Sequence, residues 1–161
     1  MKKEEARKLA EEHFKTGYEL QMHGKLQEAV ENYRTSIQIY PTAEAHTFLG
    51  WAYSFQGRFE DAILECRKAI RIDPDFGNPY NDIGAYFIEQ GKFKQAVRWL
   101  KKAVRAKRYD SYCYPHYNLG RVYEHEGDWK KALACFEASV KANPDYSLGV
   151  KAVNRLRALF N

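Results

Sequence analysis

Apolar residues along the chain recur at steps of three and four positions, with charged and polar residues between them. One such series is Phe59, Ile63, Cys66 and Ile70, and another begins at Phe93. This spacing places the apolar side chains on one side of an α-helix, whereas a half-buried strand would alternate at every second residue. The pattern therefore predicts a chain of amphipathic helices.

Glycines divide the chain into four similar units. They come in pairs seven positions apart, and successive pairs start 33, 34 and 36 positions after one another: Gly17 and Gly24, Gly50 and Gly57, Gly84 and Gly91, Gly120 and Gly127. Five positions after each second glycine stands an alanine, and another small residue follows seven positions later. A fixed period of this length is typical of a protein built from repeated supersecondary units.

Each unit is predicted to form two helices joined at its second glycine, because a left-handed residue that ends a helix is most easily glycine. The first glycine of each pair lies inside the first helix, where it costs about 1 kcal/mol relative to alanine. Its recurrence therefore needs a packing reason. We expect Gly50 to face Ala62 and Gly84 to face Ala96, so that two helix backbones approach closely.

These residues resemble the tetratricopeptide repeat, a helix-turn-helix of about 34 residues. The family's positions are filled in the second unit by Leu49-Gly50, Tyr53, Ala62, Ala69 and Pro74, and in the fourth by Leu119-Gly120, Tyr123, Ala132, Phe136 and Pro144. The family's tryptophan is replaced by His13, His46, Tyr80 and His116. Two extra residues lengthen the third unit between Arg108 and Cys113.

The resemblance implies an all-α fold, an alpha-alpha superhelix (solenoid) of four antiparallel helix-turn-helix repeats with a terminal capping helix. The repeats would span about 10–42, 43–76, 77–112 and 113–146, and the capping helix about 146–160, all within a single domain over 1–161. The last segment suits a cap, because Val153 and Leu156 are spaced for one apolar side and Lys151 and Arg155 stand between the apolar positions.

Composition excludes several classes of protein. Of the 161 residues, 45% are hydrophobic and 29% charged, with 10 Gly and 5 Pro, so the chain is neither disordered nor collagen-like. No apolar run is long enough for a membrane span, and the first residues lack a signal-peptide core, so a cytoplasmic location is expected. Cys66, Cys113 and Cys135 form no CxxC pair, which disfavours a disulfide scaffold or a zinc site.

The sequence predicts neither enzyme activity nor a cofactor. It contains no phosphate-loop, dinucleotide, hydrolase or zinc-protease motif. His13, His46 and His116 recur at one repeat position, but neighbouring copies would be about 10 Å apart, too far to share a metal ion held at about 2 Å. We therefore predict no catalytic residue, no metal site and no cofactor.

The family resemblance also implies that the first helix of each unit lines a concave groove. There the helical phase exposes Phe14, Tyr18, Phe48, Trp51, Phe55, Asn81, Asp82, Tyr117, Asn118 and Arg121. Aromatic residues and arginine often dominate binding energy, and asparagine can bond both backbone groups of an extended peptide. We predict a non-enzymatic scaffold, adaptor or co-chaperone that binds a peptide segment of a partner protein. The Lys and Asn clamp for acidic chaperone tails is absent, since its places hold Phe14, Tyr18, Phe48, Asn78 and Asp82.

Charge suggests a different function. The chain has a net charge of +5, and residues 92–108 contain basic but no acidic side chains, with Lys94, Arg98, Lys101 and Arg105 at helical steps. A basic outer helix of this kind could bind nucleic acid or another anionic partner. The lack of interleaved stacking aromatics disfavours nucleic acid. Self-association of the stack into a homo-oligomer is a further alternative.

Overall fold

The computed structural model describes residues 1–160, and this part of the chain is helical apart from its turns and loops. Its nine α-helices are α1 (Lys3–Met22), α2 (Leu26–Ile39), α3 (Ala43–Phe55), α4 (Phe59–Ile72), α5 (Asn78–Glu89), α6 (Phe93–Ala103), α7 (Cys113–His125), α8 (Trp129–Ala142) and α9 (Ser147–Phe160). In this range there is no strand, and an isolated bridge joins Phe76 to Arg108. The predicted all-α fold class is confirmed, and α9 lies where the sequence predicts the capping helix.

The helices form two compact units, Met1–Pro74 and Asp75–Asn161. In the first unit α1 packs on α2, α2 on α3, and α3 on α4. In the second unit α5 packs on α6, α6 on α7, α7 on α8, and α8 on α9. The first unit therefore holds two helix pairs, and the second holds two further pairs and the last helix. The single domain over 1–161 stays a prediction.

The turns inside the four repeats share one backbone geometry. The turn glycines have left-handed φ angles of 75°, 73°, 71° and 77°, at Gly24, Gly57, Gly91 and Gly127 respectively. In every turn the amide after the glycine donates to the carbonyl five positions earlier, at N···O distances between 2.8 and 3.0 Å. This bond satisfies a carbonyl that the end of the helix would leave without a partner. The predicted glycine turns are confirmed.

The first glycine of each pair marks a close approach of two helices. A Cβ atom on Gly50 would lie 2.9 Å from the carbonyl oxygen of Ala62. A Cβ atom on Gly84 would lie 2.5 Å from Leu100 Cγ and 3.4 Å from the carbonyl oxygen of Ala96. The shortest of these separations are below van der Waals contact, so a larger residue would push a neighbour aside. The predicted approaches of Gly50 to Ala62 and of Gly84 to Ala96 are confirmed.

Where the two helices of a repeat cross, a side chain of the first helix lies opposite one that is 19 positions later. We call these the crossing pairs: His13 Nδ1 is 3.2 Å from Asn32 Oδ1, His46 Nδ1 is 2.6 Å from Glu65 Oε2, and the ring centroids of Tyr80 and Trp99 are 6.1 Å apart. The corresponding positions of the fourth repeat hold His116 and Cys135. Each repeat therefore has different chemistry at its crossing position.

Glu65 is the one carboxylate among the crossing pairs and it is buried, so we expect it to make stability depend on pH. Burial raises the pKa of Glu65, but hydrogen bonds from His46 and from Lys68 outweigh it and hold this pKa below its ordinary value. A lowered pKa in the folded state stabilises fully above the unfolded value, and this contribution is lost as the pH falls below about 4. Glu65→Gln should lower the free energy of unfolding by about 2 kcal/mol at pH 7.

Urea unfolding of wild type and Glu65→Gln between pH 7 and pH 3 measures this contribution. The difference between the two proteins should shrink toward acid, because glutamine does not titrate in that range. Glu11→Gln is the matched control, since the Glu11 carboxylate is exposed and pairs with Lys15 in the same unit. Its stability should stay close to wild type. A stability difference at Glu65 that is constant with pH would contradict the argument.

The last three helices enclose an apolar cluster around Phe136. This ring is 1% exposed and lies among buried Ala132, Ala152, Val153 and Leu156, with Tyr117, Tyr123, Leu133 and Val140 at the edges. A Cβ atom on Gly120 would lie 2.5 Å from the Phe136 ring, so the ring occupies the space that the glycine leaves open. The cluster is the core that α9 closes from outside.

The loop after α6 folds back onto the start of α5. The amide of Arg108 donates to the carbonyl of Asp75 at 2.9 Å, and the carbonyl of Arg108 accepts from the amide of Gly77 at 3.0 Å. The guanidinium carbon of Arg108 lies 4.1 Å from the centroid of the Phe76 ring. Tyr109 then packs so closely on Gly77 that a Cβ atom there would overlap its ring. The two extra residues of the third repeat thus place a tyrosine beside α5.

Candidate functional site

The first unit carries a connected set of aromatic rings on α1 and α3. We call it the aromatic face, and it consists of Phe14, Tyr18, Phe48, Trp51 and Phe55. Successive centroids are 5.2 Å apart for Phe14 and Phe48, 5.8 Å for Tyr18 and Phe48, 5.7 Å for Phe48 and Trp51, and 5.4 Å for Trp51 and Phe55. All four contacts are edge to face, which the ring quadrupoles favour. The structure brings together the five aromatic residues that the sequence predicts for this unit.

The aromatic face has a supported inner part and an exposed outer part. Phe14 and Phe48 both contact the buried ring of Tyr33 on α2, at centroid distances of 5.8 and 6.3 Å. At the outer edge, Phe55 is 60% exposed and Tyr18 is 42% exposed. The helical spacing of the rings puts them on one side of each helix. Connected aromatic surface left in water is typical of a contact site.

A cleft of about 300 Å³ opens beside the aromatic face, between α1, α2 and the start of α3. Phe14 forms its apolar wall, and Arg7, Glu11, Lys15 and Glu44 add charge around it. Two of these, Glu11 and Lys15, form an ion pair at 2.7 Å. The cleft therefore offers groups of both signs next to an aromatic ring.

The second unit carries a hydrogen-bonded set on α5 and α7. We call it the polar face, and it consists of Asn81, Asp82, Glu89, Asn118 and Arg121. Arg121 Nη1 donates to Asn118 Oδ1 at 3.3 Å, Asn118 Nδ2 donates to Asn81 Oδ1 at 3.1 Å, and Asn81 Nδ2 donates to Asp82 Oδ1 at 3.5 Å. Arg121 also pairs with Glu89 at 3.3 Å. In the three bonds between Arg121 and Asp82, each donor lies on the Arg121 side and each acceptor on the Asp82 side.

The two asparagines are more buried than their helical phase predicts. Asn81 and Asn118 are each 8% exposed. They bury each other because each amide supplies the hydrogen-bond partner that the other would otherwise find in water. Tyr117 also departs from its predicted exposure, since its ring is partly buried between Phe136 and Tyr146, with centroids 5.5 and 5.4 Å away. The predicted exposure of Asn81 and Asn118 is wrong, that of Tyr117 is partial, and the role of all three in binding stays a prediction.

Asp82 ends the polar face with a partly buried carboxylate. Burial raises the pKa of Asp82 to about 7, and the hydrogen bond from Asn81 opposes this rise only in part. Burial, and after it the charge of Asp82, also raises the pKa of the Tyr109 phenol. The sequence prediction omits Tyr109, although the two extra residues of the third repeat are a signal that something unusual lies there.

The basic residues of the alternative anion site lie on α6 and beyond it. Lys94, Arg98 and Lys101 are exposed on α6, and Arg105 is exposed in the loop that follows. The helix ends at Ala103, because the amides of Arg105 and Ala106 donate to carbonyls only three positions back and tighten the chain into a turn. The predicted basic helix over 92–108 is therefore too long, and Arg105 does not continue its face. Anion binding stays a prediction.

No helix in residues 1–160 combines the length and the apolar character needed to cross a bilayer. Over the same residues, His, Cys, Asp and Glu side chains form no group of three or more that could hold a metal ion.

Comparison with known protein families gives three matches. Family models described as tetratricopeptide repeat match residues 43–76, 80–108 and 113–146. These stretches fall on the second, third and fourth units that the glycine pairs define, and together they cover more than half of the chain. No curated protein sequence matches the chain significantly.

Several solved structures share the fold. PilF from Pseudomonas aeruginosa is 24% identical and matches 95% of this chain and 68% of its own, with a TM-score of 0.85. PilW, described as a widely conserved type IV pilus biogenesis factor, is 18% identical over 93% of this chain and 69% of its own, with a TM-score of 0.83. YrrB, described as a TPR protein with an unusual peptide-binding site, is 19% identical over 91% of this chain and 75% of its own, with a TM-score of 0.66.

Proposed function

Because the chain belongs to the tetratricopeptide repeat family, whose repeats are protein-interaction scaffolds, we propose that it is a non-enzymatic scaffold that binds a segment of a partner protein on its aromatic face. The observation that carries the proposal is the run of edge-to-face rings that ends in exposed Phe55 and Tyr18. A repeat needs no aromatic residue at these outer positions for its own packing. Their presence is explained if a partner covers them.

The geometry favours an extended segment with apolar side chains as the bound partner. Tyrosine and tryptophan supply large rigid contact area at a small entropic cost, and fully burying one such ring contributes about 2 kcal/mol. Phe14 and Phe48 rest on Tyr33, so the inner rings are held in place before a partner arrives. The charged cleft beside Phe14 gives a polar end to the same surface.

An adaptor and a co-chaperone are two forms that such a scaffold can take, and the proposal includes both. An unfolded client would present apolar segments of the kind that the aromatic face fits. YrrB supports the peptide form of the proposal only through its shared fold, because its identity to this chain is 19%. The cytoplasmic location, the homo-oligomer and the absence of nucleic-acid binding stay predictions from the sequence.

The proposal predicts that Phe48→Ala/Trp51→Ala weakens peptide binding by roughly 30-fold or more, the loss expected for two central aromatic contacts. Peptides selected from a random phage-displayed library on the wild-type protein are the probes. Their affinities are measured by fluorescence polarisation with wild type and with the double variant. Both proteins must show the same helical circular dichroism and be fully folded at the assay temperature before affinities are compared.

Trp129→Ala is the matched control, because Trp129 is a 43% exposed aromatic residue on α8, outside the aromatic face. It should leave every selected peptide with wild-type affinity. Equal binding by wild type and Phe48→Ala/Trp51→Ala would overturn the proposal, as would a library that yields no binding peptide.

A further inference from the structure

The last helix of the second unit, α9, packs on α8 in the way that α3 packs on α2 in the first unit. The eleventh residue of each packing helix, Arg157 in α9 and Tyr53 in α3, is hydrogen-bonded to the residue ten positions after a turn glycine. Arg157 Nη2 donates to Glu137 Oε1 at 2.8 Å, and Tyr53 Oη accepts from Arg34 Nη2 at 2.8 Å. By this register α9 holds the place of the first helix of a further repeat.

One side of α3 is covered by α4, the second helix of its own repeat. His46, the fourth residue of α3, pairs with Glu65 on that side, and Gly50, the eighth residue, approaches the backbone of α4. The same positions of α9 hold Val150 and Asn154. No helix covers them among the described helices of the second unit, where α9 packs on α7 and α8 alone.

A cleft of about 430 Å³ opens between α8 and α9, and Val150 and Asn154 both line it. Its apolar lining is made by Val140 and Val150, which are half-buried, and by buried Val153. Val140 and Val153 also belong to the cluster around Phe136, so this lining is continuous with the core. An apolar floor with a polar rim between two helices has the chemistry of a groove that binds a third helix.

The side chains around this cleft leave a positive charge. Helix α9 contains basic but no acidic residues, and both of its arginines are paired with glutamates of α7 and α8. Lys141, which lines the cleft, and Lys151, which follows Val150, form no ion pair within residues 1–160. Acidic side chains of a bound helix would therefore complement this site. A second copy of α9 would bring the same basic residues and be repelled.

We propose that the cleft between α8 and α9 binds an amphipathic helix of a partner protein, with acidic residues along the flank that faces Lys141. The bound helix lies on α9 as α4 lies on α3, and its apolar side chains contact the valines of the cleft. Asn154 has a side chain where α3 has Gly50, so the bound helix packs less closely than α4 does. The inference goes beyond the proposed function and does not depend on it, because the aromatic face lies on α1 and α3.

The test selects helices on the full chain from a phage-displayed library of helical miniproteins with one randomised face. Clones that also bind Asn154→Trp are discarded, because a large side chain at this exposed position should keep a helix out of the cleft. This step removes helices that bind elsewhere, including on the aromatic face. We expect the retained helices to share apolar residues at steps of three and four, flanked by an excess of Asp and Glu.

A charge reversal identifies the residue that the acidic flank faces. Lys141→Glu should weaken the retained helices roughly fivefold or more in fluorescence polarisation, and helices whose acidic residues are changed to lysine should prefer this variant to wild type. Lys130→Glu is the matched control, because Lys130 is an exposed lysine at the other end of α8, outside the cleft. It should leave affinity unchanged. Each variant must first show the helical circular dichroism of wild type.

The position of the bound helix is read from amide chemical shifts in NMR. We expect the largest changes at Lys141, Val150 and Asn154. Changes confined to the basic residues of α6 would overturn the proposal, because charge alone would then explain binding. No retained clone, retained helices without an acidic flank, or equal binding to wild type and Lys141→Glu would also overturn it. So would a dimer in sedimentation velocity that Asn154→Trp dissociates, since a second copy would then occupy the cleft.

Discussion

Replacing Phe136 with alanine is expected to lower the free energy of unfolding by about 4 kcal/mol. The ring is 1% exposed and stands at the centre of the cluster that α7, α8 and α9 enclose. Its removal leaves a cavity over Gly120, and a glycine has no side chain with which to fill it. Urea unfolding followed by circular dichroism measures the loss.

The matched control for this truncation is Phe160→Ala, which makes the same chemical change at a ring that is 55% exposed on α9. Its effect should stay within about 0.5 kcal/mol of zero. Hydrogen exchange should show that Phe136→Ala opens the amides of α7, α8 and α9 first. A loss below about 1 kcal/mol at Phe136 would mean that the surrounding helices collapse into the cavity, contrary to the close packing described above.

Gly50→Val is the second substitution with a large expected effect, and it should lower the free energy of unfolding by about 3 kcal/mol. A Cβ atom at this position meets the carbonyl oxygen of Ala62 at 2.9 Å. Because this oxygen belongs to the backbone of α4, it cannot rotate out of the way as a side chain could. The helices α3 and α4 must therefore move apart. Valine is a better helix former than glycine, and this gain of about 0.5 kcal/mol offsets only a small part of the overlap. The fluorescence of Trp51, the next residue on α3, reports the separation of the helices together with urea unfolding.

Gly57→Ala separates this steric effect from a conformational one. Gly57 is the turn glycine of the same repeat, with φ of 73° and no atom within 4 Å of an added Cβ. Alanine there should cost only about 1 kcal/mol, the price of a left-handed conformation for a residue with a side chain. If Gly50→Val cost no more than Gly57→Ala, the close approach of the helices would not be what selects glycine inside α3.

The sequence predicts the helix pairs and their turns well, because these depend on local chemistry. The turn at Gly57 needs only a left-handed residue and a bond from the Arg58 amide to the Tyr53 carbonyl. Both can be predicted from the sequence of a single repeat. The approach of Gly50 to Ala62 is likewise contained within one helix pair. Three family matches then identify the repeats from the same residues.

The candidate site is predicted less completely, since helical phase treats every helix as if it stood alone. Helical phase predicts that Asn81 lies on an exposed surface. In the structure it accepts a hydrogen bond from Asn118, a residue 37 positions away. Helical phase also extends the basic face of α6 to Arg105, although the helix ends at Ala103. The grouping of the rings in the aromatic face is predicted correctly, because Phe48 and Trp51 lie on one helix at helical spacing. Burial that depends on a residue from another repeat has no such local signal.

The crossing pairs should favour the pairing of each helix with the other helix of its own repeat during folding. Tandem hairpins of similar sequence can exchange partners, so that the first helix of one repeat pairs with the second helix of another. If α5 took the place of α3, Glu65 would lie opposite Tyr80 instead of His46 and would keep only Lys68 as a partner, which is unfavourable for a buried carboxylate. This mismatched hairpin is therefore destabilised at its crossing position. A redesigned chain with the same crossing pair in every repeat would lose this discrimination between its own hairpins, even if each hairpin became more stable.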